Sequence, residues 1–150
     1  MSVQRDGPEW KPSGSGAVLM IGNGGSAAIA EHITNDLNKS GRPALHPSLA
    51  TLTCFANDYG WEKALERWVD LHLTKMDTLI AISSSGQSKN ILNAALAAGK
   101  DQTITLSGFK EDNPLRKLGR TNYYVPSDNY GIVELTHEAI LHSIVNPGEL

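Results

Sequence analysis

A glycine-rich turn that follows an apolar run constrains the fold of this chain more than any other feature. Val18–Ile21 is entirely apolar, and Gly22–Ser26 follows it with the sequence Gly-Asn-Gly-Gly-Ser, after which a helical pattern begins. A strand, a tight turn and a helix in this order place backbone N–H groups and the positive end of the helix dipole at one point. The segment therefore predicts an anion-binding loop at the end of a buried strand.

A second strand and polar loop repeat this arrangement in the middle of the chain. The run Thr78–Ile82 leads into Ser83–Ser88, with the sequence Ser-Ser-Ser-Gly-Gln-Ser, and another helical pattern follows. Serine hydroxyls, backbone N–H groups and a helix N-terminus can hold a phosphate although the segment contains no lysine or arginine. One serine would serve as an ordinary helix cap, but four exceed that need. The two loops predict a site for a phosphorylated small molecule.

Strand-like and helix-like segments alternate along the chain, which is typical of a parallel sheet covered by helices on both faces. The pattern predicts a three-layer α/β sandwich with a five-stranded parallel sheet, and ligands of such sheets bind at the carboxyl ends of the strands. A loop is predicted through Asn57-Asp58. The predicted strands cover 17–21, part of 44–54, 78–82, 102–106 and 121–125, and the predicted helices cover 26–39, 61–74, 88–99, 113–118 and 131–145.

Length and composition set the class of the protein. A chain of 150 residues fits one domain, and we expect a flexible tail over 1–16, the domain over 17–146 and a C-terminal tail over 147–150. The net charge of −3 gives no electrostatic case for nucleic acid. No apolar stretch is long enough to span a membrane and no signal peptide is evident, so the expected location is the cytoplasm.

The glycine turn also fits the dinucleotide-binding pattern G-x-G-x-x-A, which makes a nicotinamide cofactor the first alternative. That pattern requires an acidic residue about twenty positions further on to bind the ribose, and no Asp or Glu lies between Asp36 and Asp58. A nucleotide P-loop is excluded because the one Gly-Lys pair, Gly99-Lys100, precedes an aspartate. The sequence therefore predicts no nucleotide cofactor.

Two helices carry the side chains that are suited to proton transfer or metal binding. His32 and Asp36 are four residues apart and share one helix face, and the last helix carries Glu134, Glu138 and His142 at the same spacing. His137 lies about 140° around the helix axis from His142 and is predicted to point elsewhere. The run from His137 to His142 is one residue too long for a zinc-protease motif. The two faces together suggest acid–base chemistry or a divalent metal.

These motifs, in this order, resemble the sugar isomerase (SIS) domain family, and within it the phosphoheptose isomerases. The residues that carry the resemblance are Gly22–Ser26, His32, Asn57–Gly60, Ser83–Ser88 and the pair Glu134 and His142. The resemblance covers about 17–145 and implies a flavodoxin-like strand order. It also implies conversion of sedoheptulose 7-phosphate to glycero-manno-heptose 7-phosphate, a step toward the heptose of lipopolysaccharide or capsule, through an enediol(ate).

The resemblance further implies the roles of individual residues. Asp36 and His142 are the catalytic pair, with Asp36 moving the carbon-bound proton and His142 serving the sugar oxygen. Some members bind zinc, and the ligands here would be His32, Asp36, Glu134 and His142. The phosphate contacts are Ser83, Ser85 and Ser88, and the other substrate contacts are Asn23, Gly24, Gly25, Ser26, Asp58, Ser84 and Glu134.

The chain departs from the family pattern at four points, one of which is a one-residue gap that alignment of the last helix requires after Tyr130. Asp36 stands where the family has glutamate, Glu134 stands where the best-known members have glutamine, and 1–16 is too short for the helical arm that helps to build the family's tetramer. The resemblance implies a homotetramer with sites between subunits. Three other functions stay open: a non-catalytic SIS protein that binds the replication initiator, a sugar-phosphate sensor, and an isomerase of another sugar phosphate.

Overall fold

A computed structural model of the chain describes residues 2–146 and contains strands and helices in alternation. Residues 147–150, where a C-terminal tail is predicted, lie outside the described residues. The strands are β1 (Gln4–Asp6), β2 (Val18–Ile21), β3 (Ala44–Leu45), β4 (Thr78–Ser83), β5 (Thr103–Gly108) and β6 (Thr121–Val125). The helices are α1 (Gly25–Lys39), α2 (Leu49–Tyr59), α3 (Trp61–His72), α4 (Lys89–Ala98) and α5 (Tyr130–Val145).

The six strands form one sheet in the order β1-β6-β5-β4-β2-β3. Strands β2 to β6 pair in parallel, and β1 pairs with β6 antiparallel. The five parallel strands have the flavodoxin-like order, so the predicted sandwich is confirmed. The sheet has six strands rather than five because the N-terminal segment adds an antiparallel edge. Both predicted loops leave the carboxyl ends of neighbouring strands, β2 and β4, and so face the same crevice.

Alternate residues of β2 point into two separate apolar layers. Val18 and Met20 pack in a cluster with residues of α1 and α5, whereas Leu19 and Ile21 pack in a cluster with residues of α3 and α4. All four side chains are buried, and each contributes roughly 1.5–3 kcal/mol of hydrophobic stabilisation. This double burial explains why the strands lack polar alternation in the sequence. It also fixes α1 and α5 side by side on one face of the sheet.

The N-terminal segment, predicted as a tail, contains regular structure and a buried side chain. Strand β1 extends the sheet, and Trp10 is 5% exposed within the layer that α1 and α5 cover. Arg116 binds Asp6 through Nε and Nη2, at 2.6 and 3.1 Å. The guanidinium holds the pKa of the Asp6 carboxyl below its ordinary value. Composition rich in Gly and Pro did not reveal these contacts, because they depend on distant partners.

Helix α2 corrects a second expectation. A strand within 44–54 exists only as β3, and Asn57-Asp58 lies in α2 rather than in a loop. Ser48 caps the helix, since its Oγ accepts the N–H of Thr51 at 3.2 Å. None of the residues of α2 is buried, and Leu49 is 78% exposed. Among the described residues, no helix has both the length and the apolar character that crossing a membrane requires.

Candidate active site

The glycine loop (Gly22–Ser26) connects β2 to α1 in a conformation that requires small residues. Gly24 has φ 53°, a left-handed conformation that glycine adopts without strain. A Cβ on Gly22 would collide with the backbone of Ser26, and a Cβ on Gly25 would collide with the carboxylate of Glu134. The glycines therefore allow the loop to turn tightly and allow α5 to bring Glu134 against the start of α1.

The serine loop (Ser83–Ser88) connects β4 to α4. Ser83 and Ser84 are buried, and Ser83 Oγ donates to Ser88 Oγ at 3.4 Å. Ser85 Oγ accepts the backbone N–H of Gln87 at 3.3 Å. The buried hydroxyl of Ser84 has no hydrogen-bond partner among the described residues. A buried hydroxyl without a partner is costly, so a bound ligand that pairs with it would stabilise the loop.

Neighbouring elements hold the serine loop from behind. Gly86 has φ 65°, and a Cβ there would collide with the side chain of Asn113. Asn113 is buried and donates from Nδ2 to the carbonyls of Gly108 and Lys110, at 3.2 and 2.8 Å. Leu115 donates its N–H to the carbonyl of Gly86 at 3.2 Å. The loop is thus fixed by the segment that follows β5.

A cavity of about 250 Å³ lies between the glycine loop and the serine loop. Nine of the predicted substrate-binding residues line the cavity. Glu134 carries the one charged side chain among its lining residues. The lining also includes Ile82 and Tyr130, which sequence reasoning missed. The lining residues are Asn23, Gly24, Gly25, Ser26, Ile82, Ser83, Ser84, Ser85, Ser88, Tyr130 and Glu134.

A pair of asparagines links the glycine loop to α4, the helix that follows the serine loop. Asn23 Nδ2 donates to Asn90 Oδ1, and Asn90 Nδ2 donates to Asn23 Oδ1, both at 2.8 Å. Asn90 is 2% exposed on the inner face of α4, beside the buried Ile91. Sequence reasoning missed Asn90, although a polar residue on an apolar helix face was a usable signal. The side chain of Asn23, predicted to contact the sugar, is therefore largely engaged by Asn90.

The histidine cluster (His32, Asp36, Glu138 and His142) forms where α1 packs against α5. Asp36 Oδ2 lies 3.6 Å from His32 Nε2 and 3.6 Å from His142 Nδ1, and the two imidazole rings lie 5.1 Å apart. Glu138 Oε1 lies 4.0 Å from His142 Nε2. The structure thus brings the predicted catalytic pair together within one chain, with Asp36 between two imidazoles.

The same cluster contains a candidate metal site. His32, Glu138 and His142 each offer a ligand atom, and these atoms lie within 4.8 Å of one another. Two imidazoles and a carboxylate are ligands that zinc prefers, so the donor set fits this ion. The group differs from the predicted one in two ways: Glu138 takes the place of Glu134, which lies one turn earlier in the cavity between the loops, and Asp36 is not among the three residues. Spacing alone did not distinguish these two glutamates.

A shallow groove lies between the histidine cluster and the cavity between the loops and shares Gly25 and Glu134 with that cavity. A space of about 380 Å³ is lined by Gly25 and Glu134 at one end and by His32 and Glu138 at the other. Gly25 and His32 lie about 10 Å apart along α1 at the ordinary helical rise. An extended sugar phosphate could therefore place its phosphate in the serine loop and its other end near the imidazoles.

Two further histidine and aspartate positions bear on the predictions. His137 is fully buried, and its Nε2–H donates to the carbonyl of Ser107 at 3.1 Å. Burial lowers the pKa of His137 to about 4, and the prediction that it points away from His142 is confirmed.

Asp58 lies exposed on α2, where its carboxylate accepts from Asn57 and Cys54. Within this single chain Asp58 does not line the cavity between the loops.

Comparison with known proteins gives the class of this chain. The SIS domain family matches residues 12–107, which is more than half of the sequence, and the chain belongs to this family. Within the family, the chain is similar to phosphoheptose isomerases. It is 36% identical to the phosphoheptose isomerase of Helicobacter pylori (strain ATCC 700392 / 26695), over 85% of this chain and 71% of the relative. It is also 36% identical to that of Aliarcobacter butzleri (strain RM4018), over 85% of this chain and 72% of the relative.

Solved structures agree with this grouping. The phosphoheptose isomerase GmhA from Neisseria gonorrhoeae superimposes with a TM-score of 0.78 at 26% identity, over 87% of this chain and 74% of that chain. A phosphoheptose isomerase from Francisella tularensis superimposes with a TM-score of 0.77 at 31% identity, over the same shares of the two chains. The structural similarity thus extends over most of the chain.

Proposed function

We propose that this protein is an aldose–ketose isomerase that converts sedoheptulose 7-phosphate to glycero-manno-heptose 7-phosphate. The observation that carries the proposal is the position of Asp36, whose carboxylate lies 3.6 Å from both His32 and His142. His32 and Glu138 of the cluster line one end of the groove, and Gly25 and Glu134 at its other end also line the cavity beside the serine loop. The similarity to phosphoheptose isomerases supports the choice of a heptose phosphate.

The serine loop binds the phosphate in this proposal. Ser83, Ser85 and Ser88 surround the cavity together with the N-terminus of α4, and the unpartnered hydroxyl of Ser84 gives the ligand a further donor. Helix N-termini and hydroxyls suit a phosphate without a lysine or arginine. The phosphate is remote from the reacting carbons. Its binding energy therefore positions the sugar, and the phosphate takes no part in the bonds that form and break.

Asp36 and His142 carry the proton transfers in this proposal. Isomerisation through an enediol(ate) requires one group to move a proton between the two carbons and another to exchange a proton with the sugar oxygens. Asp36 is 17% exposed and His142 is 26% exposed. Both line an open space of about 450 Å³ that shares His32 with the groove, so both side chains are accessible to a ligand. Asp36 takes a proton from one carbon and returns it to the other, and His142 exchanges a proton with the sugar oxygen.

The cluster also offers a place for zinc, with His32, Glu138 and His142 as ligands and Asp36 beside both imidazoles. A bound zinc ion would polarise the sugar carbonyl and stabilise developing negative charge. It would do so in place of proton exchange at His142, because an imidazole that ligates zinc is a poor acid. The residues of the chain then orient the sugar along the groove, and Asp36 stays close enough to the imidazoles to hold their orientation.

The proposal includes a cytoplasmic homotetramer, with sites that lie between subunits. Its support is the exposed apolar surface of α5 beside the groove, where Leu135 is 69% and Ile132 is 46% exposed. Such residues on the rim of a site are typical of a surface that a second subunit covers. Light scattering on the purified chain tests this part, and a monomer with full activity would contradict it.

Purified protein incubated with sedoheptulose 7-phosphate in D₂O tests the reaction itself. We expect the aldose product to form and to carry deuterium at C2, because the transferred proton exchanges with solvent at Asp36. Fructose 6-phosphate and ribulose 5-phosphate are tested as alternative substrates in separate parallel reactions. Absence of turnover with every sugar phosphate, with and without added zinc, would overturn the proposal.

A further inference from the structure

Phe109 adopts a backbone conformation that its side chain disfavours. It directly follows β5 and has φ 59°, and it is the one non-glycine residue with a positive φ among residues 2–146. A left-handed conformation is a genuine outlier for a bulky residue. Such conformations persist only where surrounding contacts impose them, and they concentrate at functional sites.

Three contacts hold Phe109 in this conformation. Its N–H donates to the carbonyl of Ser127 at 2.8 Å, and its carbonyl accepts from the hydroxyl of Tyr124 at 2.8 Å. Its ring meets the ring of Tyr130 edge to face, with centroids 4.7 Å apart and an interplanar angle of 64°. This is a favourable geometry for two aromatic side chains. The backbone contacts therefore fix Phe109, and Phe109 fixes the ring of Tyr130.

Tyr130 is the first residue of α5 and lines the cavity between the glycine loop and the serine loop. Its side chain is 59% exposed, so it stands at the mouth of that cavity rather than in its floor. The adjacent Gly108 leaves no room for a side chain, because a Cβ there would meet Val133 at 2.8 Å and the carbonyl of Ser84 at 3.0 Å. The loop after β5, the serine loop and α5 thus meet closely at this point.

We propose that Tyr130 is a substrate-contacting residue whose ring closes the mouth of the cavity over the carbon chain of the bound sugar phosphate, and that Phe109 is its positioning residue. This inference rests on the proposed function for the identity of the ligand. The ring supplies apolar contact at low conformational cost, since the edge-to-face contact with Phe109 already restricts its rotation. The serine hydroxyls, and not the phenol, bind the phosphate.

Steady-state kinetics with sedoheptulose 7-phosphate test this assignment. We expect Tyr130→Ala to raise KM about tenfold, with kcat within about twofold of the wild type, because the contact lies far from the reacting carbons. Tyr130→Phe keeps the ring and should stay within about twofold in KM. Leu96→Ala, which removes an exposed apolar side chain from α4, is the matched control and should change neither constant.

A double-mutant cycle tests the role of Phe109. Phe109→Leu should raise KM severalfold, and the Phe109→Leu/Tyr130→Ala double variant should be no worse than Tyr130→Ala alone, because Phe109 acts through Tyr130. A merely structural contact would lower the melting temperature of the variants and leave KM unchanged. Additive effects on KM would overturn the positioning role.

Calorimetric titration with sedoheptulose 7-phosphate separates this inference from the proposed function. A wild type that binds the sugar phosphate without isomerising it overturns the proposed function alone, and the affinity of Tyr130→Ala then tests the inference. A Tyr130→Ala variant that binds as tightly as the wild type overturns the inference alone. A wild type that does not bind overturns both.

Discussion

The cavity between the loops is built from backbone and small side chains, whereas the histidine cluster is built from imidazole and carboxylate side chains on two packed helices. In the cavity, glycines and serines hold their positions through local turns and buried neighbours such as Asn113. In the cluster, the position of Asp36 between two imidazoles depends on how α1 lies against α5. The cavity between the loops can therefore bind an anion with little rearrangement. The side chains of the histidine cluster can shift when a proton or a metal ion binds.

The largest effect is expected at the centre of the histidine cluster. Asp36→Asn removes the carboxylate that moves the carbon-bound proton in the proposed function, and we expect kcat to fall about 1,000-fold with little change in KM. Asp70→Asn changes an exposed aspartate of α3 and is the matched control. Initial rates with sedoheptulose 7-phosphate give both constants. A kcat within threefold of the wild type would remove Asp36 from the proton transfer.

Asp36→Glu sharpens the same experiment, because glutamate is the residue that the family resemblance leads one to expect. The aspartate already lies 3.6 Å from both imidazoles, so the extra methylene must fold back to keep this geometry. We expect activity within about tenfold of the wild type, far above that of Asp36→Asn. An equal loss of activity in Asp36→Asn and Asp36→Glu would indicate that the position of the group, and not its charge, determines the rate.

Two histidines five residues apart on α5 extend the comparison to stability. His142 is partly exposed, whereas His137 is fully buried and burial lowers its pKa to about 4 from an ordinary value near 6.5. As the pH falls below about 6.5, the unfolded chain binds a proton at His137 that the folded chain rejects, so the free energy of unfolding falls by about 3 kcal/mol by pH 4. Urea unfolding at several pH values measures this slope.

His137→Gln keeps a donor for the carbonyl of Ser107 and removes the titration. We expect the stability difference between the wild type and this variant to shift in favour of the variant as the pH falls from 6.5 to 4. His72→Gln, at an exposed position of α3, should follow the wild type. Parallel slopes for all three proteins would show that His137 is not the group that titrates.

The next effect distinguishes two glutamates one turn apart on α5. Glu138 lies in the candidate metal group and Glu134 lies between the loops, so Glu138→Gln should weaken zinc binding by more than about tenfold and Glu134→Gln should leave it unchanged. Titration with zinc after dialysis against a chelator measures the affinity without reference to activity. Equal weakening in both variants would contradict the separate roles.

The same contrast explains what the sequence could predict. Gly22–Ser26 and Ser83–Ser88 were found because a loop at the end of an apolar strand depends on adjacent residues, and the sheet then brings β2 and β4 together. Helical spacing predicted one shared face on each helix, and the family resemblance paired Asp36 with His142, which the structure brings together. The choice between Glu134 and Glu138 depends on the packing of α1 against α5, which spacing does not encode.

Other features escaped sequence reasoning because they arise from contacts between distant segments. Trp10 is buried by α1 and α5, and Asn90 binds Asn23 across 67 positions. The sequence of α2 is predicted as strand and loop, since its threonines and aromatic residues favour strands locally. The cap at Ser48 was the local signal for a helix, and it was overlooked.

The smallest effect is expected at the rim of the serine loop. In the proposed function, Ser85→Ala removes one phosphate contact among several, and the phosphate is remote from the reacting carbons. KM should therefore rise about tenfold while kcat stays within about threefold. Ser143→Ala, at an exposed position of α5, is the matched control. A large loss of kcat with a normal KM would place Ser85 at the reacting carbons. The serine loop and the histidine cluster would then be parts of one reaction centre rather than an anchor and a centre of proton transfer.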